Sequence, residues 1–264
     1  MSVAGSLLEE RSARLDRAKA SLGDPRALSR GSGLSVPAVG ERTFPLAAPL
    51  RSVLPDGGLR RGSTVEVGRS TSLVLALLAE ASAEGAWCAL VGLPEVGLVA
   101  AAEAGLALSR VALVPHPGPD LVAVTAALLD GLDLVVVAGG QRLPAGTRQR
   151  LAARARHAGS VLLPIEPWPG ADVRLGVQGG QWHGLGGAGA GRLRCRQVRV
   201  RGSGRGSAHR ERSATLLLPG PDGAVAGVER VPPVAVPGVP TVPGVPAVSG
   251  VPAVSNPVPA QAAS

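Results

Sequence analysis

The chain has 264 residues, room for one sizeable α/β domain with tails, and it is rich in Gly (37) and Pro (24) but nearly devoid of aromatics, with three Trp, one Phe and no Tyr. Of its 27 basic residues only Lys19 is a lysine, which argues against Schiff-base chemistry and against NTPases that hold phosphates with a loop lysine. The net charge of +8 is uneven: residues 151–230 carry 12 basic and 5 acidic side chains, whereas residues 51–150 carry 8 and 9.

In chain order, residues 1–22 read as an isolated helix whose narrow apolar stripe includes Leu8, Leu15 and Leu22, a pattern suited to docking on a partner or a second copy rather than to joining a core. Residues 23–54, rich in Pro, Gly and Ser, read as a linker with one short extended piece near Arg42–Leu46. A regular alternation then fills a domain over residues 55–220. Its strands are expected at Thr64–Val67, Trp87–Val91, Val111–Val114, Leu134–Ala138 and Val161–Ile165. Helices are expected between them at Thr71–Glu84, Val96–Leu106, Asp120–Leu129 and Pro144–His157. Val- and Leu-rich strands without polar alternation are buried on both faces, as in a parallel sheet covered by helices, so the expected fold is a doubly wound, mostly parallel α/β sheet. Val173–Val177, Leu193–Arg201 and Ala214–Leu218 alternate more, and the last two are expected to form an antiparallel hairpin that extends the sheet. Residues 221–264 are expected to be a disordered tail, with charge-free VPGVP-type repeats from Val231.

The stretch LPDGGLRRGSTVEV followed by GRSTSLVLALLAEASAEGAWCALVGL resembles the nucleotide-binding core of RecA-type recombinases, roughly from Leu54 to Leu218. It departs from that pattern where the chemistry lies. A working phosphate loop reads GxxxxGK[ST], with converging backbone N–H groups, a lysine on the outer phosphates and a hydroxyl on Mg²⁺. Here Val67 leads directly into Gly68-Arg69-Ser70-Thr71, a degenerate loop that is about four residues short and carries a planar guanidinium in place of the compact ammonium. Ala138 follows Leu134–Val137 where the family has its metal-binding aspartate, and Glu95 lies near the position of its water-activating glutamate. No cofactor and no enzymatic activity are expected.

Trp168-Pro169-Gly170-Ala171-Asp172, Trp182-His183-Gly184-Leu185-Gly186, Gly204-Arg205-Gly206 and Leu218-Pro219-Gly220-Pro221-Asp222-Gly223 resemble the RecA-like accessory proteins of the actinobacterial mutasome, the ImuA-prime type. That resemblance implies a non-catalytic adaptor in DNA-damage tolerance. Its implied partners are a Y-family-like polymerase homologue and an error-prone replicative-type DNA polymerase. The alternative is a RecA-like ATPase or DNA-binding recombination protein with an atypical phosphate loop.

Eight arginines, Arg192, Arg194, Arg196, Arg199, Arg201, Arg205, Arg210 and Arg212, crowd into twenty-one residues and are candidates for weak contact with DNA or with an acidic partner. Alternation places Arg192, Arg194 and Arg196 on one face of a strand, and a bulge near Gln197–Val198 would return the remaining arginines to solvent. Trp168 and Trp182 are the aromatic side chains in loop-like positions. The four histidines show no metal-ligand spacing, and Ser70, Thr71 and Ser72 suit helix capping better than nucleophilic catalysis. Free Cys88 and Cys195 in strand-like segments fit a reducing cytoplasm, and neither a secretory signal nor a bilayer-spanning segment is expected.

Overall fold

The structure is a computed structural model that describes residues 42–185 and 191–230. Leu8, Leu15 and Leu22, and the repeats beyond Arg230, lie outside the described residues.

Four short strands form a parallel sheet in the order β5–β4–β6–β7: β4 (Cys88–Val91), β5 (Val111–Val114), β6 (Leu134–Val137) and β7 (Val161–Pro164). Every residue of β4, β6 and β7 is buried, as their unbroken apolar composition requires of strands covered on both faces. A single parallel bridge, Thr64 to Leu162, joins β7 to β3 (Val65–Val67). β3 in turn pairs in parallel with β8 (Val173–Leu185), and the sheet continues antiparallel through β9 (Gly191–Gly204), β10 (Arg212–Leu217) and β11 (Ala226–Gly227). The doubly wound, mostly parallel sheet with an antiparallel extension is therefore the architecture observed.

Each face of the sheet has its own core. On one side Cys88, Leu90, Leu134, Val136, Val161 and Leu163 pack with α2 (Thr71–Ala83). Nine of the thirteen residues of α2 are buried, so this helix is apolar nearly all round, as a helix sunk in the middle of a domain must be. The other side stacks Val135, Val137 and Leu162 against Leu129 of α4 (Leu121–Gly131) and Leu151 and Ala155 of α5 (Ala145–Ala158). Gly159 closes α5 at φ 73°, a left-handed position that glycine adopts without strain. The helix expected over Val96–Leu106 is shorter, with α3 spanning Leu98–Glu103; Gly97 precedes it and Gly105, at φ 99°, turns the chain after it.

Three expectations need correction. Residues 43–54 are not a linker: β1 (Thr43–Phe44) pairs with β2 (Leu59–Arg60), α1 spans Ala48–Arg51, and Phe44, Leu46, Leu50, Val53 and Leu54 are buried. Proline and glycine frequency concealed an apolar set that is spaced for a turn-rich packing layer. The sheet also runs past Gly220, because Ala226 and Gly227 pair with Leu217 and Leu216. Finally, β9 carries no bulge at Gln197–Val198, since its ladder to β10 is regular from Gln197 to Gly202. The extra residue is on β8, between Gln178 and Gln181. Cys195 is buried because it faces the other way from Val198 and Val200, in a separate small cluster with Leu217 and Ala226.

Candidate functional site

β3, β4, β6 and β7 all end at one edge of the parallel sheet, and a cleft of about 260 Å³ opens there. Such a position, outside the carboxyl ends of parallel strands, is where α/β folds bind ligands. It is lined by Arg69, Ser70 and Thr71 from the loop after β3, by Gly92–Val96 after β4, by Ala138 after β6, and by Ile165 and Glu166 after β7.

Backbone N–H groups in this loop are turned into the chain. Gly68 N donates to Leu175 O of β8 at 2.8 Å, and Ser70 N folds back onto Gly68 O. Ser70 is the N-cap of α2, its Oγ accepting from Leu73 N at 3.3 Å, the capping role its residue type suggests. The Arg69 guanidinium, with its side chain 68% exposed, reaches across to Glu166, Nη2 to Oε1 at 3.2 Å. The other oxygen of the buried Glu166 accepts from Gln141 N at 3.1 Å. Gly92, at φ 74°, lies against Ala138, whose carbonyl oxygen would sit 3.0 Å from any added Cβ. Position 138 offers a methyl group where the RecA pattern has a metal-binding carboxylate. The site combines Val74, Leu93, Val96 and Ile165 with two carboxylates, Glu95 and Glu166. Among the described residues no group of three or more His, Cys, Asp or Glu side chains could hold a metal ion.

Glu166 had no motif to mark it in the sequence; its proximity to Arg69 depends on β3 and β7 being spatial neighbours 97 residues apart. Other carboxylates turn out to be backbone ties. Asp172 Oδ2 accepts from Thr64 N at 2.9 Å, Asp133 Oδ2 from Trp87 N at 2.9 Å, and Glu66 Oε2 from Trp168 N at 2.8 Å.

The arginine cluster does not form one surface. Strand alternation sends Arg196 to one face of β9 and Arg199 and Arg201 to the other, while Arg192 and Arg194 lie at the register shift between the His183–Cys195 and Leu185–Gly191 pairs. Arg201 is engaged with Glu211 and with Gln178 Oε1 at 3.3 Å. Arg205 lines a second cleft beside Asp172, and Arg212 Nη1 donates to Ser207 O at 3.3 Å. Arg192, Arg194, Arg199 and Arg210 are exposed. Trp168 is not in an open loop: it is 1% exposed and packs on Gly140, leaving Trp182, at 46%, as the exposed indole.

Burial pushes the Cys88 thiol up to about 12, with the Asp133 carboxylate adding to the effect. Burial likewise raises Cys195. Neither thiol is poised as a nucleophile.

Residues 52–170 match the family model of the MT3502 N-terminal domain. The uncharacterized protein Rv3395c of Mycobacterium tuberculosis (strain ATCC 25618 / H37Rv) is 40% identical over 136 residues, covering 49% of this chain and 67% of that protein. Among solved structures, the crystal structure of the RadB recombinase is similar in fold, with a TM-score of 0.51 at 16% identity over 69% of this chain and 97% of that one. The strand order and the likeness to RadB give the chain a RecA-like fold, and the sequence it shares with Rv3395c leads to one assignment: the chain belongs to the family of Rv3395c.

Proposed function

We propose that this protein is a non-catalytic adaptor in DNA-damage tolerance, a RecA-like body that binds protein partners without using a nucleotide. The observation that carries this reading is the state of the loop after β3. Its Gly68 and Ser70 amides donate within the chain, and its one cation, Arg69, is paired with Glu166. A magnesium-bound triphosphate needs converging amides, a compact ammonium and a metal-holding carboxylate after β6; these residues offer it two carboxylates and an apolar wall instead, and they do not fit it. The resemblance to mutasome accessory proteins supplies the partners of the proposal: a Y-family-like polymerase homologue and an error-prone replicative-type DNA polymerase.

Two measurements test it. ATP with Mg²⁺ at millimolar concentration should leave the melting temperature unchanged and be hydrolysed no faster than background. A pull-down from DNA-damaged cells should retain translesion polymerase components. A clear nucleotide-dependent shift would return the protein to the ATPase class, and a pull-down without polymerase components would remove the adaptor role.

A further inference from the structure

β8 and β9 outgrow the sheet. The β10 ladder ends at Gln197, and two more backbone bonds, Leu218 N to Arg196 O at 2.7 Å and Arg196 N to Pro219 O at 3.0 Å, hold the next residue of β9, whereas the β8–β9 ladder continues through His183–Cys195 to Leu185–Gly191. Beyond Arg196 the pair is therefore a two-stranded ribbon, a form that is marginal in water when nothing else covers it. Trp182 and Arg196 are cross-strand partners and share a face. Gly180 and Gly184 lie two residues to either side of Trp182, at the two register shifts of the ladder. The Arg196 guanidinium lies in the space a Cβ at Gly180 would fill, held by Nη2 on Gly179 O at 3.0 Å. At Gly184 the space a Cβ would need is closed by the Arg192 carbonyl oxygen and by the backbone N and Cγ of Arg194. Arg192 and Arg194 are exposed, and among the described residues no carboxylate lies within ion-pair distance of Arg192, Arg194 or Arg196. From Val173 to Arg210 the sequence contains no Asp or Glu at all.

We propose that this face of the β8–β9 ribbon binds single-stranded DNA, with Trp182 stacking on a base and Arg192, Arg194 and Arg196 on the phosphates beside it. A ribbon with this charge and no acid selects a polyanion. The indole decides between polyanions: an acidic peptide would use the guanidiniums and leave an exposed ring unexplained, whereas every base offers a π-face to stack on. This inference stands apart from the adaptor reading, since a ribbon can hold DNA whether or not the body binds polymerases.

The experiment is fluorescence anisotropy of labelled (dT)20 with the full chain at about 50 mM salt, alongside the wild-type protein's indole emission. W182A should weaken binding by at least about fivefold, the loss of one base stack. R192A/R194A/R196A should flatten the slope of log affinity against log salt by about 2, three phosphate contacts on a single strand. R199A, on the opposite face, should change neither, and indole emission should be quenched by (dT)20 but not by heparin. The proposal is overturned by no binding of (dT)20, by unaltered binding of W182A, by R199A weakening binding as much as the triple variant, or by equal quenching with heparin. These side chains are exposed or half-exposed, so the variants should keep the wild-type melting temperature; should one not fold, the quenching comparison decides alone.

Discussion

A carboxylate placed against a backbone N–H does the work of a strand bond where the ladder runs out. Asp172 is the clearest instance: Oδ2 accepts from Thr64 N, and Asp172 N donates back to Thr64 O at 2.9 Å. Truncation would leave a buried donor unsatisfied, which costs about 1–3 kcal/mol. Urea denaturation of D172A should therefore show that loss, and D172N, which keeps an accepting oxygen, should lose less. Cys88 gives a pH dependence. Its thiol is held neutral in the folded state up to about 12, against 9.0 for an ordinary cysteine thiol. The unfolded chain thus releases this proton first, and stability should fall as pH rises from about 9 to 12. C88A or C88S should remove that component of the decline, and native Cys88 should resist alkylation at pH 8 until the fold is opened.

Among the elements, α2 and α3 differ in what they contribute. Leu73, Leu77 and Leu78 of α2 are at most 1% exposed, whereas Val99 of α3 is 74% exposed. L77A removes a side chain from a close-packed interior and should cost about 2–5 kcal/mol. V99A should cost within about 0.5 kcal/mol, as surface changes do. Paired thermal melts check the contrast, and similar losses in both would show that α3 is packed as tightly as α2. The β8–β9 ribbon is the element whose register a sequence conveys least. Its irregularities lie at Gly179–Gly180 and around Gly184, and glycine marks a candidate bulge without saying which strand bears it.

For the molecule as a whole, what could be read in advance follows from how local the cause is. The strands β4 to β7 declare themselves because continuous runs such as Leu134–Val137 have no polar face to expose, and Val111–Val114 is bounded as expected. The degenerate loop was equally legible, since a missing lysine and missing residues are features of the chain alone. The Arg69–Glu166 pair was not, because it joins residues 97 apart through the order in which strands stack. Residues 43–54 were hidden by their own prolines: composition suggests a linker, while burial of Leu46 and Leu50 depends on a neighbouring layer that no local window contains. The arrangement of the arginines in space is hidden for a related reason. Density along the chain is not density in space, and a strand divides its residues between two faces.

The loop after β3 has a consequence for time. In a nucleotide-driven RecA-like machine, hydrolysis sets how long an assembly lasts, because the bound and released forms differ by a phosphate. On the adaptor reading proposed above, a body whose Gly68 and Ser70 amides donate to its own carbonyls and whose Arg69 is engaged by Glu166 would have no such timer. The complexes proposed for it would persist according to dissociation rates and to the amount of protein present, governed by mass action. Control over when they form would then rest with synthesis and degradation of the chain, and the cell would end an episode of error-prone copying by removing the scaffold rather than by switching it.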